Sequence, residues 1–215
     1  ASVSQYSNTV TSWNDKSGNG FQLQSFGAPS TETRSLDGKN VIDFDGDEYL
    51  ESATAYPTGN DFSFLMVAGI DAINHANDSI FCIRQSTGQP SFQIDAQDSS
   101  SFRMRFQPTD MGTAKAFASS AKHGPSIYEF VFKDSTNLLE VFLDGTSLGT
   151  TAYTAVPNQS NKLLIFSNRA PNNQPDGFVA EMIGVSTALS STNREKLEGY
   201  LAHKWGLENK LPGTH

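Results

Sequence analysis

Four acidic side chains are grouped around one glycine in the first quarter of the chain. Asp43, Asp45 and Asp47 alternate along the sequence, Gly46 lies among them, and Glu48 follows directly. Carboxylate oxygens at alternating positions can chelate Ca²⁺, a hard cation that prefers oxygen ligands. The spacing is not that of an EF-hand loop, and an Asp-Gly pair is also typical of a plain turn. The sequence therefore predicts a candidate calcium site at Asp43, Asp45 and Asp47, with a simple turn as the alternative.

A second polar group is predicted from two strand-like segments in the middle of the chain. Gln93 and Asp95 alternate with apolar residues in the first segment, and Arg103 and Arg105 do so in the second. Alternate side chains of a strand share a face, so neighbouring strands would present all four on the outward side of one sheet. We expect either an ordinary solvated face or a surface that hydrogen-bonds sugar hydroxyls. The candidate ligand contacts are Gln93, Asp95, Arg103 and Arg105.

Catalytic chemistry finds little support in the spacing of the residues. Glycoside hydrolysis needs two carboxylates that face one cleft, but Glu129, Glu140 and Glu181 are each isolated in their strand-like runs. The four histidines share no metal-ligand spacing, and neither a Gly-x-Ser-x-Gly elbow nor a glycine-rich phosphate loop occurs. We therefore expect a protein that is not an enzyme and has no catalytic residues. An atypical glycoside hydrolase remains as an alternative.

The composition excludes some classes of partner. A net charge of −8 opposes attraction to nucleic acid or to anionic lipid. No apolar run approaches the ~20 residues needed to cross a bilayer, so no membrane insertion is expected. The single cysteine, Cys82, cannot form an internal disulfide and is interpreted as a small buried hydrophobe. The polar start of the sequence, without an initiator Met, indicates a processed or excised chain.

The elements that must position these residues are mostly strands. Apolar or alternating runs recur between clusters of turn residues, and Asp144-Gly145 joins two of them as a hairpin. The predicted strands are Val41–Phe44, Phe62–Ile70, Ile80–Ile83, Phe92–Ala96, Phe102–Phe106, Ile127–Phe132, Leu138–Leu143, Leu163–Phe166 and Phe178–Val185. No linker divides the chain. This pattern predicts an all-β fold, a two-sheet antiparallel jelly-roll sandwich that forms one domain over residues 1–215.

One helix is predicted near the C-terminus, within Ala188–Leu207. Thr192 and Glu195 have the spacing of a capping box, and Gly206 provides a left-handed stop. Four residues recur at helical period and form an apolar stripe that must dock on a sheet. The predicted stripe consists of Leu197, Tyr200, Leu201 and Trp205. Their spacing favours a core role for the aromatic pair over a sugar-stacking platform.

Four sequence blocks at the two ends of the chain are similar to those of a known family. They are Val10–Gly20 (VTSWNDKSGNG), Asp37–Gly46 (DGKNVIDFDG), Gly177–Gly184 (GFVAEMIG) and Gly199–Leu207 (GYLAHKWGL). Together they resemble the concanavalin A-like, laminin-G-type jelly-roll domains of bacterial secreted proteins and phage structural proteins. The resemblance implies a lectin/glucanase-type sandwich with Trp13 and Phe44 in its core and Glu181 on a late strand. About residues 71–125 carry no matching motif.

The resemblance and the polar groups together predict a binding function. We expect a non-catalytic binding or adhesion module that recognises carbohydrate, located outside the cell, on the cell surface or on a virion. Its partner would be a glycan or surface polysaccharide, with Ca²⁺ as the one candidate cofactor. The alternative is a virion decoration, fibre or tail-associated domain whose partners are other protein subunits.

Overall fold

The computed structural model describes most of the chain, in nine segments. They are residues 2–55, 61–75, 78–84, 90–98, 101–106, 115–118, 124–152, 161–168 and 174–213. At residues 2, 84, 90–91, 96–98, 101–106 and 115–118 the description is of the backbone alone.

The described residues form sixteen strands and one α-helix. The strands of the first half are β1 Ser2–Tyr6, β2 Thr9–Asn14, β3 Leu23–Phe26, β4 Ser30–Leu36, β5 Lys39–Asp45, β6 Tyr49–Ser52, β7 Phe62–Ala72 and β8 Asp78–Arg84. Those of the second half are β9 Pro90–Asp98, β10 Ser101–Phe106, β11 Lys115–Ala118, β12 Ser126–Lys133, β13 Leu138–Leu143, β14 Thr146–Ala152, β15 Lys162–Ile165 and β16 Asp176–Val185. Helix α1 is Ser191–Trp205.

The strands pair antiparallel in two layers. The first layer has the order β11-β10-β9-β8-β15-β6-β3, and the second has the order β4-β5-β16-β7-β12-β13-β14. Strand β2 joins them, because Ser12 and Trp13 pair with β3 while Thr9 pairs with β4. Strand β1 pairs with β2. The predicted all-β sandwich with one C-terminal helix is confirmed.

Phenylalanine rings fill the space between the two layers. Phe81 of β8 lies 4.6 Å from Phe64 of β7 and 5.5 Å from Phe130 of β12, measured between ring centroids. Phe92 of β9 meets Phe132 edge-on at 4.9 Å. Tilted and edge-on pairs of this kind add to the stabilisation that burial provides. Trp13 and Phe44 also lie in this core, as the resemblance implies.

Helix α1 covers the outer side of the second layer. Along β7, Phe64 and Met66 face the core between the layers, whereas Leu65 and Val67 pack with Leu201 of the helix. Strand β7 is therefore buried on both faces, which explains its apolar run from Phe64 to Ile70. Glu129 of β12 lies on the helix side as well, since it pairs with Leu65.

The ends of α1 differ in part from the prediction. Ser190, two residues before Thr192, is the N-cap, and its hydroxyl accepts a hydrogen bond from the Asn193 amide. Gly206 ends the helix with a φ of 68°, as predicted. The prediction of Tyr200 as a core residue is wrong, because its side chain lies at the rim of the contact and is 46% exposed.

All nine predicted strands are present, and the hairpin at Asp144-Gly145 joins β13 to β14. Both turn residues have positive φ, 49° and 75°, which matches the twist of the flanking strands. Six further strands of the described residues were not predicted: β1, β2, β3, β4, β6 and β11. In the described part of the chain, no helix combines the length and the apolar character that a membrane span requires.

Candidate functional site

The acidic turn, residues Asp45–Glu48, connects β5 to β6 at one end of the sandwich. Gly46 has a φ of 99°, a conformation that L-residues rarely adopt, and it begins the three-residue connection between the two strands. One carboxylate oxygen from each of Asp45, Asp47 and Glu48 lies within 4.8 Å of the others. Asp45 and Asp47 are exposed and Glu48 is buried. The turn thus gathers three oxygen donors in one small volume.

The electrostatics of the acidic turn are those of carboxylates crowded together. Burial raises the pKa of Glu48 to about 7, and the charges of Asp45 and Asp47 act in the same direction, although the Asp45 amide donates to Glu48 Oε2 at 3.1 Å. Burial also raises the pKa of Asp45, followed by its contact with Asp47 and the charge of Asp176. A bound cation would relieve this repulsion by favouring the ionised forms.

Two residues distant in sequence complete the surroundings of the turn. Asp176 opens β16 and pairs directly with Asp45 of β5. Asn74 donates a hydrogen bond from Nδ2 to Asp176 Oδ1 at 2.8 Å. A Cβ atom added at Gly46 would lie 2.7 Å from Asn74 Nδ2 and would collide with Asp176 Oδ1. Both side chains therefore lie directly against the turn, which the linear sequence does not indicate.

Asp43, the first of the three predicted calcium ligands, is held in an ion pair. Arg34 Nε lies 3.2 Å from Asp43 Oδ1, while Arg34 Nη2 lies 2.6 Å from Asp71 Oδ2. The same guanidinium stands 4.9 Å from the ring centre of Phe178. The structure groups Asp45 and Asp47 with Glu48 instead. Calcium binding by the predicted set stays a prediction.

An exposed aromatic ring lies beside the acidic turn. Phe26, at the end of β3, stacks on Tyr49 of β6 with a centroid distance of 4.7 Å and an interplanar angle of 4°. The Phe26 side chain is 38% exposed, and Tyr49 is buried beneath it. A Cβ atom on the next residue, Gly27, would lie 3.0 Å from Glu48 Cγ. An apolar surface and several carboxylates therefore meet at one rim of the first layer.

Phe26 belongs to the outer face of the first layer, which points away from the aromatic core. Cross-strand pairing links Phe26 to Tyr49, and further along the face it links Leu164 to Cys82 and Cys82 to Gln93. Tyr49, Cys82 and Leu164 form a small cluster separate from the main core. Four strand-to-strand intervals separate β3 from β9 across this face, a width of about 19 Å at the usual distance between neighbouring strands. Both polar regions predicted from the sequence border this one face.

The predicted ligand contacts Gln93 and Asp95 are buried. Gln93 Nε2 donates a hydrogen bond to Asp95 Oδ1, and the two side chains are 1% and 0% exposed. The expectation of a solvated face is therefore wrong at these positions. The predicted register holds, since Arg103 pairs with Asp95 and Arg105 with Gln93. The two arginine side chains lie outside the described part, and ligand binding by the four residues stays a prediction.

Two of the isolated strand glutamates, Glu181 and Glu129, lie at the contact between the second layer and α1. Glu181 accepts hydrogen bonds from Trp205 Nε1 at 2.7 Å, Lys204 Nζ at 2.8 Å and the Tyr200 hydroxyl at 3.0 Å. Burial opposes its ionisation, but the Lys204 and Trp205 donors outweigh burial and lower its pKa. Glu129 lies wholly buried beneath α1. Neither carboxylate faces a substrate from solvent.

Comparisons with solved structures find β-sandwich domains of carbohydrate-active and carbohydrate-binding proteins. The chain superposes on an arabinofuranosidase complexed with arabinofuranosyl-α-1,2-xylobiose with a TM-score of 0.70 and 12% identity, covering 92% of this chain and 51% of that one. For the binding domain of botulinum neurotoxin DC, solved in complex with SialylT, the TM-score is 0.67 with 12% identity, covering 93% and 50%. These similarities show that the chain has the same β-sandwich fold as these domains.

A third structure is similar over nearly its whole length. Domain 4 of AbnA, an extracellular arabinanase from Geobacillus stearothermophilus, was solved in complex with arabinotriose. It superposes with a TM-score of 0.62 and 10% identity, covering 86% of this chain and 92% of that one. The chain spans about half the length of the other two structures. No protein-family model matches the chain, and no curated protein matches it in sequence.

Proposed function

We propose that this chain is a non-catalytic carbohydrate-binding module that forms one laminin-G-like domain. The observation that carries the proposal is the Phe26 ring, backed by Tyr49 and bordered by the acidic turn. Sugar-binding sites combine a flat apolar surface for the C–H face of the pyranose or furanose ring with planar groups that bond its hydroxyls. The similarity of the fold to domains solved with oligosaccharides supports the same function.

Each part of the site has a definite role in this proposal. The ring of Phe26 stacks against a sugar ring, and its parallel contact with Tyr49 holds the ring in place before the ligand arrives, so little side-chain entropy is lost on binding. The exposed carboxylates of Asp45 and Asp47 accept hydrogen bonds from sugar hydroxyls. Hydrogen bonds to ionised acceptors are stronger than those between neutral groups.

The acidic turn also suits calcium as a cofactor. Ca²⁺ takes six to eight oxygen ligands, including carboxylates, amide carbonyls and waters, and a hydroxyl oxygen of a sugar could replace such a water. Asp45, Asp47 and Glu48 would supply the first ligands, and Asp176 lies against the same turn. Burial and the neighbouring carboxylates raise the pKa values of Asp45 and Glu48, and a divalent cation at the turn would offset both effects. The metal would hold the turn rigid and orient the hydroxyls.

The wider setting follows from the proposed ligand. Glycans and surface polysaccharides occur mainly outside cells, so we place the module on a secreted, cell-surface or virion protein. A single shallow site of this kind binds weakly and gains strength when several copies act together. We therefore expect millimolar to micromolar affinity for the isolated chain.

Oligosaccharide binding by the intact chain tests the proposal. A glycan array that includes arabinose- and sialic-acid-containing oligosaccharides, run with calcium and with EGTA, selects a ligand for titration calorimetry. Phe26→Ala removes the stacking surface and is expected to weaken binding about 10-fold, from the aromatic contribution of roughly 1.5 kcal/mol. Absence of binding to every glycan under both conditions would overturn the proposal.

Tyr200→Ala is the matched control. Tyr200 is an aromatic side chain of similar exposure, but it lies on α1 at the opposite side of the sandwich. It is expected to leave the affinity unchanged. Equal losses in the two variants would show that the binding surface is not at Phe26.

A further inference from the structure

Two buried carboxyl groups share one arginine beneath helix α1. Glu129 of β12 and Glu198 of α1 are each 0% exposed. Arg194, one helical turn before Glu198, places Nη1 at 2.6 Å from Glu198 Oε1 and at 3.9 Å from Glu129 Oε2. The guanidinium lies over the Phe142 ring at 4.0 Å, which fixes its position from the other side.

The charges of this group do not balance if both carboxyls ionise. One guanidinium then faces two carboxylates, and a net negative charge stays in a space closed to water. Arg194 is engaged at short range with Glu198, and both oxygens of Glu129 lack a hydrogen-bond donor. The Glu198 carboxyl lies within hydrogen-bonding reach of Glu129. An uncompensated buried charge is strongly destabilising, whereas a proton between two carboxyls removes the charge and makes a bond.

The neighbouring charged groups make ionisation of Glu129 harder. Glu140 of the adjacent strand β13 acts on Glu129 with the same sign as Glu198. Glu195 lies 3.6 Å from Arg194 Nη2 and so competes for the one guanidinium. Lys210 approaches Asp144, while its ammonium donates to the Pro125 carbonyl. Burial first, then contact with Glu198, raises the pKa of Glu129 well above its ordinary value.

We propose that Glu129 keeps its proton at neutral pH and donates it to Glu198, and that loss of this proton loosens helix α1 from the sandwich. The two carboxyls sit on different elements, one on the sheet and one on the helix. Repulsion between them is relieved when those elements separate and water enters. The group therefore acts as an alkali-sensitive latch on the helix.

The direction of the pH effect follows from proton linkage. In the unfolded chain Glu129 loses its proton near the usual glutamate pKa of about 4.3. In the native state it keeps the proton to higher pH, so its contribution to stability is complete below about pH 4.3. That contribution falls as pH rises toward the native pKa. Over this window the group raises the unfolding equilibrium constant by up to tenfold per pH unit.

Glu129→Gln is the decisive variant. Glutamine has nearly the same shape, and its amide can donate to Glu198 as the proton does, without titrating. The free energy of unfolding is measured with urea from pH 5 to pH 9. In Glu129→Gln it is expected to fall less steeply with pH than in wild type, by the equivalent of one proton, so that the variant is the more stable protein at pH 9. Glu32→Gln removes an exposed carboxylate from β4, which lies four strand positions away from β12, and is expected to keep the wild-type pH dependence. Identical slopes for Glu129→Gln and wild type would overturn the proposal.

Two further measurements detect the proton and the helix separately. Infrared difference spectra of wild type minus Glu129→Gln at pH 7 are expected to show the C=O stretch of a protonated carboxylic acid. If the variant does not fold, a neutral-minus-alkaline difference spectrum of Glu48→Gln is used instead, since burial raises the pKa of the Glu48 carboxyl to about 7 and that variant lacks it. Above neutral pH, amide hydrogen exchange in α1 is expected to accelerate more than exchange in β7, after correction for the intrinsic rate. Absence of the infrared band of a protonated carboxylic acid would contradict the proposal. Equal acceleration of amide hydrogen exchange in α1 and β7 would contradict it as well.

Discussion

Removal of the Trp205 N–H group tests how the helix is fastened to the sandwich. Trp205 lies at the last turn of α1, is almost fully buried and donates its indole N–H to Glu181 Oε2 at 2.7 Å. Trp205→Phe keeps an aromatic ring in the contact and removes this donor. Glu181 retains its bonds from Lys204 and Tyr200 on the other oxygen, Oε1. The substitution therefore removes one hydrogen bond to an ionised acceptor and only part of the buried ring.

The expected loss is about 2 kcal/mol in the free energy of unfolding. A hydrogen bond to a charged group contributes roughly 1.5–3 kcal/mol, and Oε2 would lose its indole donor in a partly buried site. Trp205→Ala removes the ring as well and is expected to cost about 4 kcal/mol, within the usual range of 3–5 kcal/mol for large aromatic truncations. Since domains have only about 5–15 kcal/mol of stability, the alanine variant would be close to unfolding.

Urea unfolding followed by far-ultraviolet circular dichroism measures both losses, with an unchanged m-value as the check that the unfolded state is the same. Tyr200→Phe is the control, since it removes a hydroxyl donor to the same carboxylate at the exposed rim of the contact. It is expected to cost less than about 0.5 kcal/mol, because water can replace an exposed donor. A Trp205→Phe loss no larger than that of Tyr200→Phe would refute the reasoning.

Two more predictions concern the acidic turn. Gly46→Ala is expected to cost about 1–3 kcal/mol of stability and to abolish calcium binding, because its Cβ would displace Asp176 and Asn74. Gly38→Ala, also at positive φ but with open space around its Cβ, is the control for backbone strain, and equal losses in the two variants would count against crowding. Calcium affinity measured by calorimetry is expected to rise from pH 6 to pH 8 and to release protons, because burial raises the pKa of Glu48 to about 7 and calcium binds the ionised form. A pH-independent calcium affinity would show that Glu48 is not a ligand. Without calcium, the contribution of Glu48 to the stability of the folded state is largest below about pH 4.3 and falls as pH rises through 7.

The strands that the sequence predicts are those with a buried apolar face. Strand β12 reads Ser-Ile-Tyr-Glu-Phe-Val-Phe-Lys, and its core-facing residues alternate with residues under the helix. Strands β1 and β4, Ser-Val-Ser-Gln-Tyr and Ser-Thr-Glu-Thr-Arg-Ser-Leu, have no such pattern. They form because a neighbouring strand offers hydrogen-bond partners, and that information is not local.

The helix shows the same division between local and tertiary information. Its apolar stripe and the Gly206 stop are encoded locally, and both predict the element correctly. Arg194 and Glu198 look like an ordinary exposed i, i+4 pair in the sequence. They are buried because β12 brings Glu129 against this side of the helix. No helical pattern could have revealed that contact.

The candidate site could be predicted only in part, for a comparable reason. Asp45 and Asp47 flank a glycine turn and are visible as a cluster in the sequence. Asp176 and Asn74 join them through the pairing of β16 with β5 and through one hydrogen bond. Phe26 stands in a short polar strand, and its exposure at the rim depends on its stack with Tyr49. The sequence thus locates the turn but not its neighbours.

The two carboxyl clusters of this protein resolve the same electrostatic problem in opposite ways. Glu129 and Glu198 are sealed from water, so the proton and Arg194 are the counter-charges available to them inside the sandwich. Asp45, Asp47 and Glu48 lie at the rim, where an ion can enter and leave and where two of the three groups are already exposed. Burial therefore decides which cluster can take part in binding. The buried pair controls how firmly the helix is held, and the rim cluster, with Phe26 beside it, is the one that a ligand can reach.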